Sequence, residues 1–305
     1  MTALSAPQFH DEDKARGHLE AIRWPNGPVC PHCGSQRHYN LQGQAHRPGL
    51  LKCADCKKQY SVTVASVLER SKIPLTKWLM ATYLMCSSKK GFSAHQLHRT
   101  LGVTYKTAWV MAHRIREAMR DTSSEKIGGE GTSGIGEADE TYFGNSKEKR
   151  RGPFLSQKQK VVALVERKGR VRTFHVPAVN QETLKPILTA ENIAACARVM
   201  TDSAPLYDGI TGGFASHETV NHSIKEYVRG DVTTNTVEGY FGILKRSIGG
   251  IYQHVSKEHL NRYVSEFSFR YNNRIALDIN DQQGTINALA GIEGKRLTYR
   301  RPRQA

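Results

Sequence analysis

Long apolar runs are missing from this 305-residue chain. No stretch approaches the roughly 20 residues that a membrane-spanning helix requires, so no membrane partner is expected. Its first residues, Met1 to Ser5, have neither the basic nor the apolar region of a secretory leader, and a cytoplasmic protein is expected. No internal repeat is evident. Acidic residues are scarce: 28 Asp and Glu stand against 44 Lys and Arg, a net charge of +16. The deficit is concentrated, because residues 1–120 hold 18 basic groups and only 7 acidic ones, while the remaining 185 hold 26 and 21. A small, strongly basic front beside a nearly balanced larger part reads as a binding module attached to something else. Nucleic acid is the polyanion such a front would attract, through release of phosphate counterions. A basic but merely solvated surface is the alternative. With 38% hydrophobic and 24% charged residues, the length suits one large domain plus one or two small ones.

Cysteine is sparse as well, and its six copies divide into four and two. Cys30-Pro-His-Cys33 and Cys53-Ala-Asp-Cys56 are two C-x2-C knuckles 19 residues apart. Two such turns aim four thiolates at one point, the closed tetrahedral set of a structural Zn²⁺. A redox pair is the competing reading, disfavoured in a reducing cytosol. His32 reads as a bystander, and Cys86 and Cys196, each alone in an apolar segment, as inert core thiols. Strand-like pieces at 50–53 and 59–64 complete a β-ribbon whose folding free energy would come mainly from the metal.

Between 74 and 120 the hydrophobic period changes from two to 3.6. Ser93-Ala-His-Gln96 offers a capping box for a helix over 94–101, which Gly102 ends. Thr104 caps the next helix, whose core stripe is Ala108, Ala112, Ile115 and Met119. Lys106, His113 and Arg120 are predicted on the opposite side, with Arg114 beside them. Helix, glycine turn and basic helix form the helix-turn-helix pattern, for which these four side chains would contact DNA. An ordinary helical hairpin is the alternative. Residues 121–136, rich in Gly and Ser, read as a joint.

The larger half reads as α/β. A hairpin is predicted over 160–176, a helix over 182–190, a buried strand over 197–200 with Asp202 just past it, and helices after Asn235 and around 260–271. Three carboxylates stand out: Asp139, in Glu137-Ala-Asp139-Glu140; Asp202, after an apolar run; and Glu238, opening a helix. Separated by 62 and 35 residues, they would form a two-metal phosphoryl-transfer site if they converge. Hard oxygen ligands suit Mg²⁺ or Mn²⁺. Other readings attach to each. Glu137 or Glu140 could be the ligand instead of Asp139, Asp202 could merely initiate a turn, and Asn235-x-x-Glu238 is itself a capping box.

Several stretches carry a resemblance to a known family. These are Asp139-Glu-Thr-Tyr-Phe-Gly144, Thr201-Asp202, Thr234 through Arg246, Tyr252-Gln-His-Val-Ser256, His259 through Arg274, and upstream Arg23 through Gly34 and Ser71 through Trp78. Together they resemble bacterial insertion-sequence transposases of the IS1595 family, in its ISXO2-like branch. The resemblance implies a DDE-type enzyme that binds the terminal inverted repeats of an insertion sequence and performs metal-dependent DNA cleavage and strand transfer. Asp139, Asp202 and Glu238 take the triad positions, and Lys245 that of a basic residue associated with the third acid. Family branches with Asn or His at the third position keep Asn235 open as an alternative metal ligand.

The expected architecture is multidomain: a helical lead-in over 1–28, a zinc ribbon over 29–70 and a helix-turn-helix region over 71–122. A Gly/Ser-rich linker over 123–135 leads to a ribonuclease-H-like α/β catalytic core over 136–275 and a basic, mobile tail over 276–305. Lys149, Arg150, Arg151 and Arg246 join the expected DNA contacts. Double-stranded DNA, as element ends and target, is the expected partner. A homo-oligomer of at least two chains, associated with the nucleoid, follows from the need to pair two ends. A zinc-ribbon regulator with a decayed core, or a nuclease without strand transfer, are the rival functions.

Overall fold

The computed structural model describes residues 3–144, 158–189, 191–207, 209 and 213–298. The chain divides into two compact units: 1–120 together with 279–305, and 121–278. Among the described residues no helix is long and apolar enough to cross a membrane.

In the first unit, helix α1 (Glu12–Arg23) starts at Asp11, whose carboxylate accepts from the amides of Asp13 and Lys14. A three-stranded antiparallel ribbon follows, β1 (His38–Asn40), β2 (Leu51–Cys53) and β3 (Gln59–Tyr60), in that order across the sheet. Helix α2 (Leu75–Ser87) has no cap of its own from Pro74, and Glu12 supplies one, accepting from the amides of Leu75 at 2.7 Å and Thr76 at 3.2 Å. Helix α3 (Ala94–Leu101) opens on the expected capping box, with Ser93 and Gln96 exchanging both bonds, and closes at Gly102 in the left-handed region. Thr104 caps α4 (Tyr105–Ala118).

Two expectations fail in this unit. His113 does not face outward: it is 1% exposed, with its ring 4.1 Å from that of Trp109. Met111, Ala112, Ile115, Arg116 and Ala118 are buried around it, so α4 is covered over most of its circumference and the side opposite the stripe is not solvent. Nor is 276–305 simply a tail, because Asp281–Ala290 forms helix α8, packed against α2 with Ala288 and Leu289 in the core. Glu293 then accepts from Arg23, and Lys295 Nζ donates to the carbonyls of Ala118 and Arg120.

The second unit is built on a five-stranded sheet: β4 (Ile135–Phe143), β5 (Gln159–Glu166), β6 (Val171–Val176), β7 (Arg198–Asp202) and β8 (Ser216–Val220). The order across it is β6-β5-β4-β7-β8. The first three strands are antiparallel neighbours, whereas β7 and β8 run parallel to β4. Strand β5 is a near-continuous apolar run because both its faces are covered. Val161, Ala163 and Val165 meet helices α6 (Asn235–Ser247) and α7 (Lys257–Asn272), while Val162 and Leu164 meet α5 (Gln181–Ile187) and the loops around it. A small hairpin, β9 (Val228–Arg229) and β10 (Val232–Thr233), lies between β8 and α6 in the chain.

The Gly/Ser-rich stretch expected as a linker is instead part of this unit. Ile127 is buried in its core and bridges Ile193, and the amide of Gly128 donates to the buried Glu166 at 2.9 Å.

Candidate active site and metal centre

The four knuckle cysteines of the first unit converge. Their Sγ atoms lie within 4.8 Å of one another, with Cys30 to Cys56 at 3.7 Å and Cys33 to Cys53 at 3.6 Å. A tetrahedron of thiolates about 2.3 Å from Zn²⁺ has edges of roughly 3.8 Å, so the spacing and the all-sulfur donor set fit the ion. Each knuckle turns through a left-handed residue just after its second cysteine, Gly34 and Lys57. Burial opposes ionisation of Cys53, but the amides of Cys56 and Asp55 and the neighbouring thiols outweigh it and bring its pKa to about 6. Cys33 is favoured by the Ser35 amide yet pushed up to about 12 by the thiols it faces. Such a crowd resists full deprotonation until a cation is bound. His32 is outside the cluster.

In the second unit, β4 and β7 place two acids side by side. Asp139 pairs across the sheet with Ala163, one of the residues packed beneath α6 and α7, and so shares that face. The parallel register sets Ile135 beside Arg198 and Glu137 beside Met200, and two residues further on each strand come Asp139 and Asp202. The paired register ends at Glu137 and Met200, but alternation along each strand puts these two acids on one face, and the charge of Asp202 reaches Asp139. Asp202 ends its strand rather than following it, and its Oδ1 also accepts from the Ala204 amide at 3.2 Å, making the turn read from the sequence.

Glu238 comes from the first turn of α6. Thr234, not Asn235, occupies the N-cap, and no side chain of the capping box folds back. The carboxylate of Glu238 instead accepts from Thr234 Oγ1 at 2.9 Å, with His222 Nε2 at 3.8 Å, and the residue is exposed. Asn235 is exposed and donates its amide to Thr233 Oγ1. Lys245, two turns along α6, is exposed too.

The acids that flank Asp139 have other partners. Glu140 lies on the opposite sheet face and accepts from the buried Tyr207 hydroxyl at 2.7 Å. Burial, this hydrogen bond and the Glu140 charge together push the Tyr207 phenol well up. Glu137, 1% exposed, accepts from Arg167 Nε and from the amides of Thr236 and Val237 in the first turn of α6. Sequence reasoning gave Glu137 no role beyond that of a rival ligand, and it missed Arg167 and Thr234. The one signal was spacing, since Glu137 must share a strand face with Asp139.

Asp139 senses its surroundings strongly. Burial foremost, then Glu140, with Asp202 and Glu238 adding, push its pKa up to about 7, against the single opposing bond from the Glu140 amide. The acids around Asp139 form a negative field that a divalent cation would relieve. Asp139, Asp202 and Glu238 do not, among the described residues, draw together within 4.8 Å as the cysteines do. Ligands shared by two ions about 3.5–4 Å apart spread over more than one coordination shell, and the donors are all oxygen, so the set suits Mg²⁺ or Mn²⁺.

The expected DNA-contacting residues separate. Lys106, Arg120 and Arg246 are exposed, Arg120 with Glu117 at 3.2 Å. Arg114 is committed within its unit, donating to the carbonyls of Leu297 and Glu69. Lys149, Arg150 and Arg151 lie outside the described residues.

Comparison with known proteins agrees with the two units. Residues 132–272 match the ISXO2-like transposase domain, and residues 10–59 match the transposase zinc-ribbon domain. An uncharacterized protein in transposable element ISH50 of Halobacterium salinarum is 27% identical over 279 residues, covering 86% of this chain and 91% of that protein. An uncharacterized transposase-like protein of Haemophilus influenzae is 30% identical over 106 residues, 35% of this chain and 84% of its own length. A chain in the cryo-EM structure of a simian T-cell lymphotropic virus intasome with PP2A regulatory subunit B56 gamma shares 15% identity over 57% of this chain and 67% of that one. Its TM-score of 0.31 is too low to show a common fold. With a match to the transposase zinc-ribbon domain ahead of one to the ISXO2-like transposase domain, and a relative from a transposable element over 86% of its length, the chain belongs to the IS1595 family of transposases.

Proposed function

We propose that the unit spanning 121–278 is a ribonuclease-H-like DDE core that cleaves and joins DNA, with Asp139, Asp202 and Glu238 holding Mg²⁺ or Mn²⁺. The observation that carries this reading is that Asp139 and Asp202 share one face of adjacent parallel strands, the face on which the helix bearing Glu238 packs. A sheet of three antiparallel strands continued by two parallel ones supports the same reading, because it sets acids from the first and fourth strands side by side.

Bound divalent ions would activate the attacking oxygen and stabilise the leaving oxygen. The chain's own part is to fix the carboxylates in place and to hold the DNA. Lys245 offers a point charge for a phosphate, two helical turns from Glu238. At an element end, water adds to phosphorus, the phosphodiester breaks and a 3′-hydroxyl is freed. That hydroxyl then attacks a target phosphate: one P–O bond forms as another breaks, the proton of the hydroxyl passes to the released 3′-oxygen, and no external energy source is needed. Catalysis of this type is chiefly positioning and electrostatics.

The first unit binds the terminal repeats through its zinc ribbon and through α3 and α4 acting as a helix-turn-helix, with Lys106 and Arg120 at phosphates. Two ends must be brought together, so the active form is at least a dimer on DNA. Labelled terminal-repeat DNA incubated with Mg²⁺ tests the reading. Wild-type protein binds, cleaves and joins, and D139A binds without cleaving. Binding alone by wild type would indicate a regulator, and cleavage without joining a nuclease. Cleavage by D139A would refute the site.

A further inference from the structure

Asp139 and Glu238 lie about a hundred residues apart in the chain, on a strand and a helix, yet a usable site needs their separation held to a fraction of an ångström. One buried side chain spans that gap. Glu137 sits two residues before Asp139 on the same face of β4, and its side chain is fully shielded from solvent. Its Oε2 accepts from the amide of Thr236 at 2.7 Å and from that of Val237 at 3.0 Å. Its Oε1 accepts from Thr236 Oγ1 at 2.9 Å and from Arg167 Nε at 2.7 Å.

These four donors occupy the roughly four lone-pair positions of a carboxylate, leaving none for a metal ion. The helix needs this outside partner. Thr234 at its N-cap makes no side-chain cap, because its hydroxyl is turned to Glu238. Arg167 anchors the other side of the bridge, donating also to the carbonyls of Asp231 and Thr233 just ahead of α6.

We infer that Glu137 is a positioning residue: an inter-element helix cap that fixes Glu238 relative to Asp139 and so sets the affinity of the site for divalent metal. This rests on the reading of those two acids as metal ligands. Removing a group that hydrogen-bonds a ligand directly characteristically weakens metal binding by roughly 10–100-fold, and Glu137, which acts one step further out through the α6 backbone, is expected at the lower end of that range.

The test is Mn²⁺ binding to the full-length, zinc-loaded protein, followed by electron paramagnetic resonance of the free ion, beside thermal melts without Mn²⁺. E137Q keeps the size of the side chain but turns an amide donor toward one pair of donors. It is expected to bind the same number of Mn²⁺ ions as wild type, about tenfold more weakly. T236V deletes only the hydroxyl bond, and its smaller shift in the same direction decides the matter if E137Q does not fold. E12Q weakens a carboxylate cap of the same kind on α2, in the other unit, and should leave Mn²⁺ binding unchanged.

Unchanged Mn²⁺ affinity in folded E137Q, or in T236V should E137Q not fold, would overturn the inference. So would loss of one bound ion, which would make Glu137 a ligand. Wild-type protein that bound no Mn²⁺, or D139A that bound it as wild type does, would instead strike down the metal-site reading itself, and this inference with it.

Discussion

Asp139 and Asp202 share one face of neighbouring parallel strands, and burial foremost, with Asp202 among the charges that add to it, keeps Asp139 protonated to about pH 7. In the unfolded chain the same carboxyl would titrate near 3.8. Its contribution to stability is therefore complete below that pH. The contribution is lost as pH rises toward 7, where the unfolded state releases a proton that the folded state still holds. A shift of this size corresponds to at most about 4 kcal/mol. In buffer free of Mg²⁺ and Mn²⁺, urea unfolding should show wild type weakening between pH 4 and 7. D139N should lose that dependence and be the more stable protein at pH 8. Parallel pH profiles for the two would show that Asp139 is not electrostatically strained.

What the sequence made legible here, and what it concealed, follows the range of the interactions. The zinc knuckles are local, and their spacing alone points four thiols at one place. Asp202 closes a strand readable from an apolar run, whereas β4, with three acids among its nine residues, carries no such run, and the family resemblance is what set Asp139 in the triad. Glu137 remained hidden because its partners are 99 and 100 residues away, and no periodicity encodes a strand carboxylate capping a distant helix. Composition misled at 121–136, where glycines that favour turns were read as a joint. Two apolar side chains, Ile127 and Ile135, tie that stretch into the cores of the unit. Residues 281–290 hold too few apolar positions to announce a core helix, yet α8 packs against α2. His113 was misplaced because a helical wheel assumes one wet side, and α4 is buried over most of its circumference.

The zinc ribbon should depend on its metal while the second unit does not. Its strands are three, three and two residues long, too short to bury much surface. Removing zinc, or replacing Cys53 by Ser, should unfold the ribbon and weaken DNA binding by an order of magnitude or more. The melt of residues 121–278 should be unaffected. Calorimetry with and without a zinc chelator, beside DNA-binding titrations, measures both. Undiminished affinity after verified zinc loss would dissociate the ribbon from DNA recognition.

Within α7 the buried pair Glu266 and Arg270 is closed at 2.7 Å, and Tyr252 donates to the same Glu266 oxygen at 2.8 Å. Tyr252 ends the five-residue π-helical turn that prolongs α6, so the carboxylate ties the end of that helix to α7. E266A would strand a buried guanidinium and should cost about 3–5 kcal/mol in urea unfolding. E266Q retains the hydrogen bonds and should cost less. A loss below about 1 kcal/mol for E266A would mean that water reaches Arg270.

Gly128 shows how firmly the Gly/Ser-rich stretch is held. Its φ is +73°, and a Cβ built on it would lie 2.5 Å from the Cβ of Ala197. The turn cannot simply relax, because the Gly128 amide is bonded to the buried Glu166 carboxylate. G128A therefore meets two separate penalties, left-handed backbone for a residue with a side chain, and a collision. The backbone part alone is about 1–3 kcal/mol. A double-mutant cycle with A197G separates them: the pair should recover the collision but not the backbone part, giving a coupling energy of opposite sign to the single losses. If instead G128A unfolded at the wild-type urea concentration, residues 121–136 would after all behave as a free joint, and the core contact of Ile127 beside it would have to be discounted.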